Sequence, residues 1–295
     1  MPTPSGHSMV FFGGEPLGVS VLEELRAANI QPDLIVCSPD KPSGRGQKLT
    51  PPPVKEWAEA HQINVFQPTS YKDKAALTPL TEQAWGVFVV VAYNFILPKW
   101  LLQIPKHGVL NVHPSLLPKL RGPSPIRTAI LENKRDEIGI SIMLMDEKMD
   151  HGPILDQAPF EIASENWPVP GPELDSALAK MGGELLADAL PAWLAGELLP
   201  QEQMHEAATY TGKFAKEDFL LDLNPHALPA GDTAFLVLCR INALLGIGDA
   251  YFLYNGERVK IKKAELAPSG ELRLLRVVPA GKQEMDFTRF LQSIS

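Results

Sequence analysis

The chain has 295 residues, 45% of them hydrophobic and 21% charged, an ordinary globular composition with room for one large domain and a smaller one. Its net charge of −8 excludes a general nucleic-acid coat, because nonspecific phosphate binding needs a basic surface. No apolar run approaches the roughly 20 residues that span a bilayer, and the opening "MPTPSGHSMVFFGG" lacks the basic-then-apolar pattern of a secretory signal.

Residues 1–7 read as an extension ahead of the first strand, "MVFFGG" (9–14). "PLGVSVLEELRAAN" (16–29) carries apolar residues at helical spacing, and "DLIVCS" (33–38) is a second buried strand. A proline-rich basic loop leads to a helix near 54–61 and the short strand "NVFQP". "WGVFVVVAY" (85–93) is a continuous β-branched run, suited to a sheet covered on both faces. Further strands are predicted at "HGVLNVH" (107–113) and "IGISIMLMD" (138–146), with a helix at "SPIRTAILEN" (124–133) between them. Strands alternating with helices predict a parallel α/β sheet.

A helix pair is predicted over 168–196, then a polar connector over 201–212. Beyond it "AYFLYNGERVKIKKAEL" and "ELRLLRVVPAG" alternate as strands, with a hairpin at Asn255-Gly256, so the last part reads as a small, mostly β domain. Charge divides unevenly: residues 210–295 hold 11 Lys/Arg against 10 Asp/Glu, whereas residues 1–209 hold 16 against 25. A polyanion must therefore be held locally. Cys37 and Cys239 lie in apolar stretches and read as reduced, buried thiols.

The turn "GGEPLG" (13–18) has the pattern G-G-x-x-x-G rather than G-x-G-x-x-G, and Glu15 sets a negative charge where a pyrophosphate would lie. It reads as a tight strand-to-helix turn. More informative is "GVLNVHPSLLPKLRGPSP" (108–125). Asn111 and His113 are two apart on a strand, so they share a face, and they emerge at the carboxyl end, where open α/β sheets place their ligands. Pro114 ends the ladder, since it has no N–H to give. Asp150, ahead of the turn His151-Gly152-Pro153, offers a third partner from a loop over the sheet edge.

An amide, an imidazole and a carboxylate suit acyl transfer to an amine. Asn111 would donate to an oxyanion, His113 would donate a second bond and move protons, and Asp150 would orient the ring. No Ser or Cys sits in a nucleophile elbow, which favours direct attack by the amine. His107, His113 and His151 lack metal-ligand spacing, so no metal is expected.

Three stretches, "NVHPSLLPKLRGPSPIRTAI", "VVVAYNFILP" (89–98) and "MDHGPIL", resemble the signature motifs of 10-formyltetrahydrofolate-using enzymes. "SPDKPSGRGQKLTPPPVKEWA" (38–58) and "TYTGKFAKEDFLLD" narrow the resemblance to the methionyl-tRNA formyltransferase family. The resemblance implies a Rossmann-like α/β catalytic domain over 8–200, a linker over 201–212 and an abbreviated OB-like β-barrel over 213–295. It implies Asn111, His113 and Asp150 as the catalytic trio. Val91, Ala92, Tyr93, Asn94, Ile96 and Leu97, with Ser115, Leu116, Leu117 and Pro118, would line the site for the formyl donor, 10-formyltetrahydrofolate.

Lys41, Gly44, Arg45, Gly46 and Lys48 fall in the loop with which the family engages the tRNA acceptor arm. A flexible cationic loop that orders on RNA suits that role. The expected partner is initiator methionyl-tRNA, with no DNA, no membrane, a monomeric state and a cytoplasmic location. Transfer to a small amine such as an amino sugar, hydrolysis of the donor, and a non-catalytic RNA-binding relative are the competing readings.

Overall fold

The structure, a computed structural model, describes residues 8–43 and 46–294. Gly44 and Arg45, two of the residues expected to meet tRNA, lie outside the described residues. In chain order, β1 (Met9–Gly13) leads through α1 (Pro16–Ala27) to β2 (Leu34–Val36), β3 (Lys41–Ser43) and β4 (Lys48–Thr50). Then come α2 (Pro53–Ala60), β5 (Asn64–Phe66), α3 (Thr78–Thr81), β6 (Val87–Val91), α4 (Lys99–Leu102) and β7 (Val109–His113). After α5 (Pro125–Leu131) the chain forms β8 (Gly139–Leu144), β9 (Ile154–Pro159) and α6 (Gly171–Leu194). It continues as α7 (Gly231–Leu244), β10 (Tyr251–Tyr254), β11 (Glu257–Leu266), β12 (Leu272–Pro279), β13 (Met285–Asp286) and α8 (Phe287–Gln292). Helices α1, α2 and α5 each begin on a proline, where the missing N–H removes a donor that has no helical partner anyway.

Two compact units divide the chain. The first takes the residues through Gly122, then Gly139–Phe160 and Ser176–Tyr210; the second takes Pro123–Ile138, Glu161–Asp175 and the chain from Thr211 onward. The second unit thus gathers 123–138 and 161–175, which precede the connector expected at 201–212.

The first unit is built on a seven-stranded sheet of order β5-β2-β1-β6-β7-β8-β9. Strands β1 and β6 are buried along their whole length, as their unbroken apolar runs require. The five strands from β5 to β7 are parallel, but β8 pairs antiparallel with β7, and β9 antiparallel with β8. The parallel sheet expected from the alternation holds for these five strands, and β8 and β9 depart from it. The chain leaving β7 returns to the sheet at the same end, so β8 runs the opposite way.

The helix pair expected over 168–196 is the single helix α6. Its glycines serve close packing rather than interruption. A Cβ on Gly182 would lie 2.7 Å from Val112 Cγ1, and one on Gly183 would lie 2.6 Å from the Glu24 Cβ.

The second unit carries a four-stranded antiparallel sheet of order β10-β11-β12-β13. Asn255 and Gly256 form the expected two-residue hairpin at φ 49° and 79°, with Tyr254 opposite Glu257. Phe252, Ile261 and Val277 from the sheet pack with Leu238 and Ile241 of α7, a helix the mostly β reading of this part left out. Cys37 and Cys239 are free and buried, and burial pushes both thiols up to about 11. Among the described residues no helix is long and apolar enough to cross a membrane.

Candidate active site

The order of the first sheet reverses direction at β1: the chain builds outward through β2 to β5, then crosses to β6 and β7 on the other side. In open α/β sheets the ligand crevice opens at the carboxyl ends of the strands flanking such a reversal. Here those ends are Gly13-Gly14 beside Val91-Ala92, since Gly13 pairs with Val91. Ala92 turns out of β6 at φ 45°. Asn111 is paired with Val90 one strand further on, so it stands at the rim of the same crevice.

Asn111 and His113 project from β7 on one face, as their spacing predicts, and both pair across to β8 at Met143 and Ser141. His113 is buried, at 4% exposure. Its Nε2 lies 3.1 Å from the carbonyl oxygen of Leu120. A carbonyl only accepts, so Nε2 carries a proton and donates it, which leaves Nδ1 as the nitrogen turned toward Asp150. Nδ1 lies 3.7 Å from Asp150 Oδ2, a coulombic separation rather than a hydrogen bond. The same Oδ2 accepts the backbone N–H of Gly122 at 2.7 Å. Asp150 is therefore turned inward. By contrast, no hydrogen bond to another described residue engages the Asn111 carboxamide, so its two N–H donors are unspent at a half-buried position.

The turn after β7 is shaped by side chains that bond to backbone. Ser141 Oγ donates to the Ser115 carbonyl at 2.6 Å and accepts the Leu117 N–H at 3.1 Å. Gln157 Nε2 donates to Ser141 Oγ at 2.7 Å and to the Leu117 carbonyl at 3.0 Å. The Ser115 hydroxyl is used within the turn, donating to the Lys119 carbonyl at 2.6 Å. Ser115 and Leu117 are thus buried scaffold, while Leu116 and Pro118 are partly exposed.

The stretch after β6 divides in the same way. Tyr93 meets Tyr71 hydroxyl to hydroxyl at 2.6 Å and packs against Phe12, and Leu97 belongs to the core. Burial pushes the Tyr93 phenol up to about 12. Ile96 is 89% exposed. Asn94 donates to Glu15 Oε1 at 3.0 Å across the crevice mouth. Asn94 and Ile96 are the exposed residues of this loop, and Ala92 is partly exposed.

The cationic segment expected as a flexible loop is a ribbon over its described part: β3 and β4 pair antiparallel, with Lys41 opposite Thr50. Lys41, Gly46 and Lys48 are exposed. Its root is tied down by Asp40, which accepts from Lys55 Nζ at 3.0 Å and from Gln67 Nε2 at 2.8 Å.

Residues that spacing did not reveal complete the centre. Gly122 supplies the N–H on Asp150, and Gln203 and Arg121 stand behind the same loop. The "LRG" of the signature is the only sequence signal that touches them. Among the described residues no group of three His, Cys, Asp or Glu side chains converges as a metal cage would need.

The family model described as formyl transferase matches residues 7–189. A methionyl-tRNA formyltransferase of Synechococcus sp. (strain JA-3-3Ab) is 46% identical over 217 residues, covering 72% of this chain and 66% of that protein. One from Herpetosiphon aurantiacus is 38% identical over 302 residues, covering 94% of each. A solved N-formyltransferase from Helicobacter canadensis, bound to folinic acid and dTDP-3-aminofucose, matches with a TM-score of 0.64. That match covers 95% of this chain and 100% of the solved one at 19% identity, a likeness of fold. With matches of this extent, the chain belongs to the formyl transferase family, among the methionyl-tRNA formyltransferases.

Proposed function

We propose that this chain transfers a formyl group from 10-formyltetrahydrofolate to the α-amine of methionyl initiator tRNA, for translation initiation in the cytoplasm. What carries the reading is the unspent Asn111 carboxamide beside the His113–Asp150 pair at one strand end, in a chain 38% identical to a methionyl-tRNA formyltransferase over 94% of both lengths.

In the reaction the acceptor amine bonds to the formyl carbon as the bond to the folate nitrogen breaks, and one amine proton passes to that nitrogen. Asn111 donates an N–H to the formyl oxygen as negative charge builds there, an interaction worth on the order of 10² to 10³ in rate. His113 carries the proton through Nδ1, its ring held by the Leu120 carbonyl on the far side. Asp150, steadied by Gly122, sets the ring and offsets its charge. The crevice is read as the donor's site. Residues 91–97 place Asn94 at its mouth, and Ser115 to Pro118 form a turn stiffened from behind by Ser141 and Gln157.

The exposed ribbon, with Lys41, Gly46 and Lys48, meets phosphates of the acceptor arm, and Gly44 and Arg45 of the same segment are assigned to that contact from the family motif. The stretch 213–295, whose antiparallel sheet we read as an abbreviated OB-like domain, adds a second RNA contact, and the enzyme acts as a monomer. The test is a set of parallel incubations with 10-formyltetrahydrofolate and charged initiator tRNA, charged elongator tRNA, or a nucleotide-linked amino sugar. Formylated initiator tRNA is the expected product. Formylation of the sugar with tRNA left untouched, or formate released with no acceptor present, would replace this reading with one of its competitors.

A further inference from the structure

Asp150 occupies a backbone conformation that L-residues avoid, at φ 48°, and something must hold it there. Gly152 allows the turn to close, because a Cβ at that position would come within 2.0 Å of the Leu144 carbonyl oxygen. The direct hold comes from Gln203. Its Nε2 donates to the Asp150 carbonyl at 3.0 Å and to the Gly152 carbonyl at 2.7 Å, bracketing the turn from one nitrogen.

Its Oε1 faces Arg121, accepting from Nε at 3.1 Å and from Nη2 at 2.6 Å. A guanidinium has only donors, so Arg121 dictates which end of the carboxamide faces it and forces the NH₂ toward the two carbonyls. Arg121 is itself 1% exposed, and no carboxylate among the described residues pairs with it. It also donates to His205 Nδ1 at 2.9 Å and to the Tyr210 hydroxyl at 3.3 Å. One residue along the chain, Gly122 gives its N–H to Asp150 Oδ2. The two ends of the catalytic loop, side chain and carbonyl, are therefore fixed by one unit made of Arg121, Gly122 and Gln203.

We propose that Gln203, oriented by Arg121, is a positioning residue for formyl transfer: it pins the Asp150–Gly152 turn so that the Asp150 carboxylate meets Gly122 and faces His113. The inference rests on the trio acting as proposed above, and wild-type formylation of charged initiator tRNA is measured first. If the wild type is inactive there, that reading fails and the variants are compared on the acceptor it does use.

The informative variant is Gln203→Glu. It keeps an acceptor for Arg121 but has no NH₂ for the two carbonyls, so a role in satisfying the buried guanidinium survives and the positioning role does not. The expected result is a kcat lowered about 10- to 100-fold, an unchanged KM for the folate donor, and a melting temperature lowered less than in Gln203→Ala, which also strands the guanidinium. Gln203→Ala should lose as much kcat. In an Asp150→Ala background either change should cost less than about twofold, because the carboxylate it positions is gone. Should Gln203→Ala fail to fold, Gln203→Glu carries the test alone. Wild-type kcat in Gln203→Glu, or a loss that multiplies in full with Asp150→Ala, overturns the proposal.

Discussion

The turn that follows β7 and the cationic ribbon of β3 and β4 belong to the same unit but are built on opposite plans. Around Asn111, His113 and Asp150 nearly every polar group is engaged with another, through Leu120, Gly122, Ser141, Gln157 and Gln203. The Asn111 amide bonds to no other described residue, which suits the oxyanion role proposed for it. The ribbon is tied at its root by Asp40, Lys55 and Gln67, while Lys41 and Lys48 stand in solvent. Stabilising charge that appears only during bond making needs donors already in place. Gathering a polyanion needs exposed charge and tolerates motion, since the long-range attraction depends little on exact geometry. An isolated two-stranded ribbon is marginal in water, which suits an element that settles against its partner.

The largest expected effect breaks the rigid side of this contrast. Asn111→Ala should lower kcat by roughly 10² to 10³, with a circular dichroism melt close to wild type because no described residue relies on its amide. Retention of near-normal turnover would remove Asn111 from the mechanism.

Next comes Gly152→Ala, which forces a Cβ against the Leu144 carbonyl oxygen. Overpacking of this kind costs about 1–3 kcal/mol. Here it should also lower kcat at least tenfold, since the turn carrying Asp150 must shift. Calorimetry and single-turnover rates measured together separate the two consequences, and an intact rate with a lowered melting temperature would show that the turn tolerates the shift.

The ribbon should respond differently. Lys41→Ala with Lys48→Ala should raise KM for charged tRNA several-fold and reduce the slope of log affinity against log salt by about one per lysine. The KM for the folate donor should stay where it is; a parallel rise in both would place these lysines elsewhere in the mechanism.

The smallest effect concerns the root. Hydrogen bonds from Gln67 and Lys55 hold the Asp40 carboxyl below the usual carboxylate range. Because the folded value is the depressed one, the anchor contributes fully above that range and is lost only as pH falls through the folded value. Backbone amide NMR signals of residues 46–50 should be steady from pH 7 to pH 5 and move only below about pH 4. Movement between pH 7 and pH 5 would point to a different anchor.

How much of this was open to inspection in the sequence differs from element to element. Strands β1, β6 and β7 are written in their apolar runs, and the Asn255-Gly256 hairpin in two residues that accept positive φ. The split of 168–196 into two helices fails for an instructive reason. Gly182, Gly183 and Pro191 look like breakers locally, but two of them are small because Val112 and Glu24 press against them. Helix α7 hides for the opposite reason, as "AFLVL" (234–238) is an apolar run without visible period, and only the burial of Ala234, Leu238 and Ile241 on one side reveals the helix. The direction of β8 was equally hidden, since a buried run reads alike whichever way its neighbour pairs.

By itself the sequence set Asn111 and His113, the pair proposed for the chemistry, on one face, because the two-residue repeat of a strand is a local property. It also determined the charge of the ribbon. Tertiary structure alone decided what holds the aspartate: the Gly122 N–H from 28 residues away and the Gln203 amide from 53 residues away. Hydrogen bonds between segments so far apart in the chain depend on where the folded backbone delivers each group, and no local pattern encodes that.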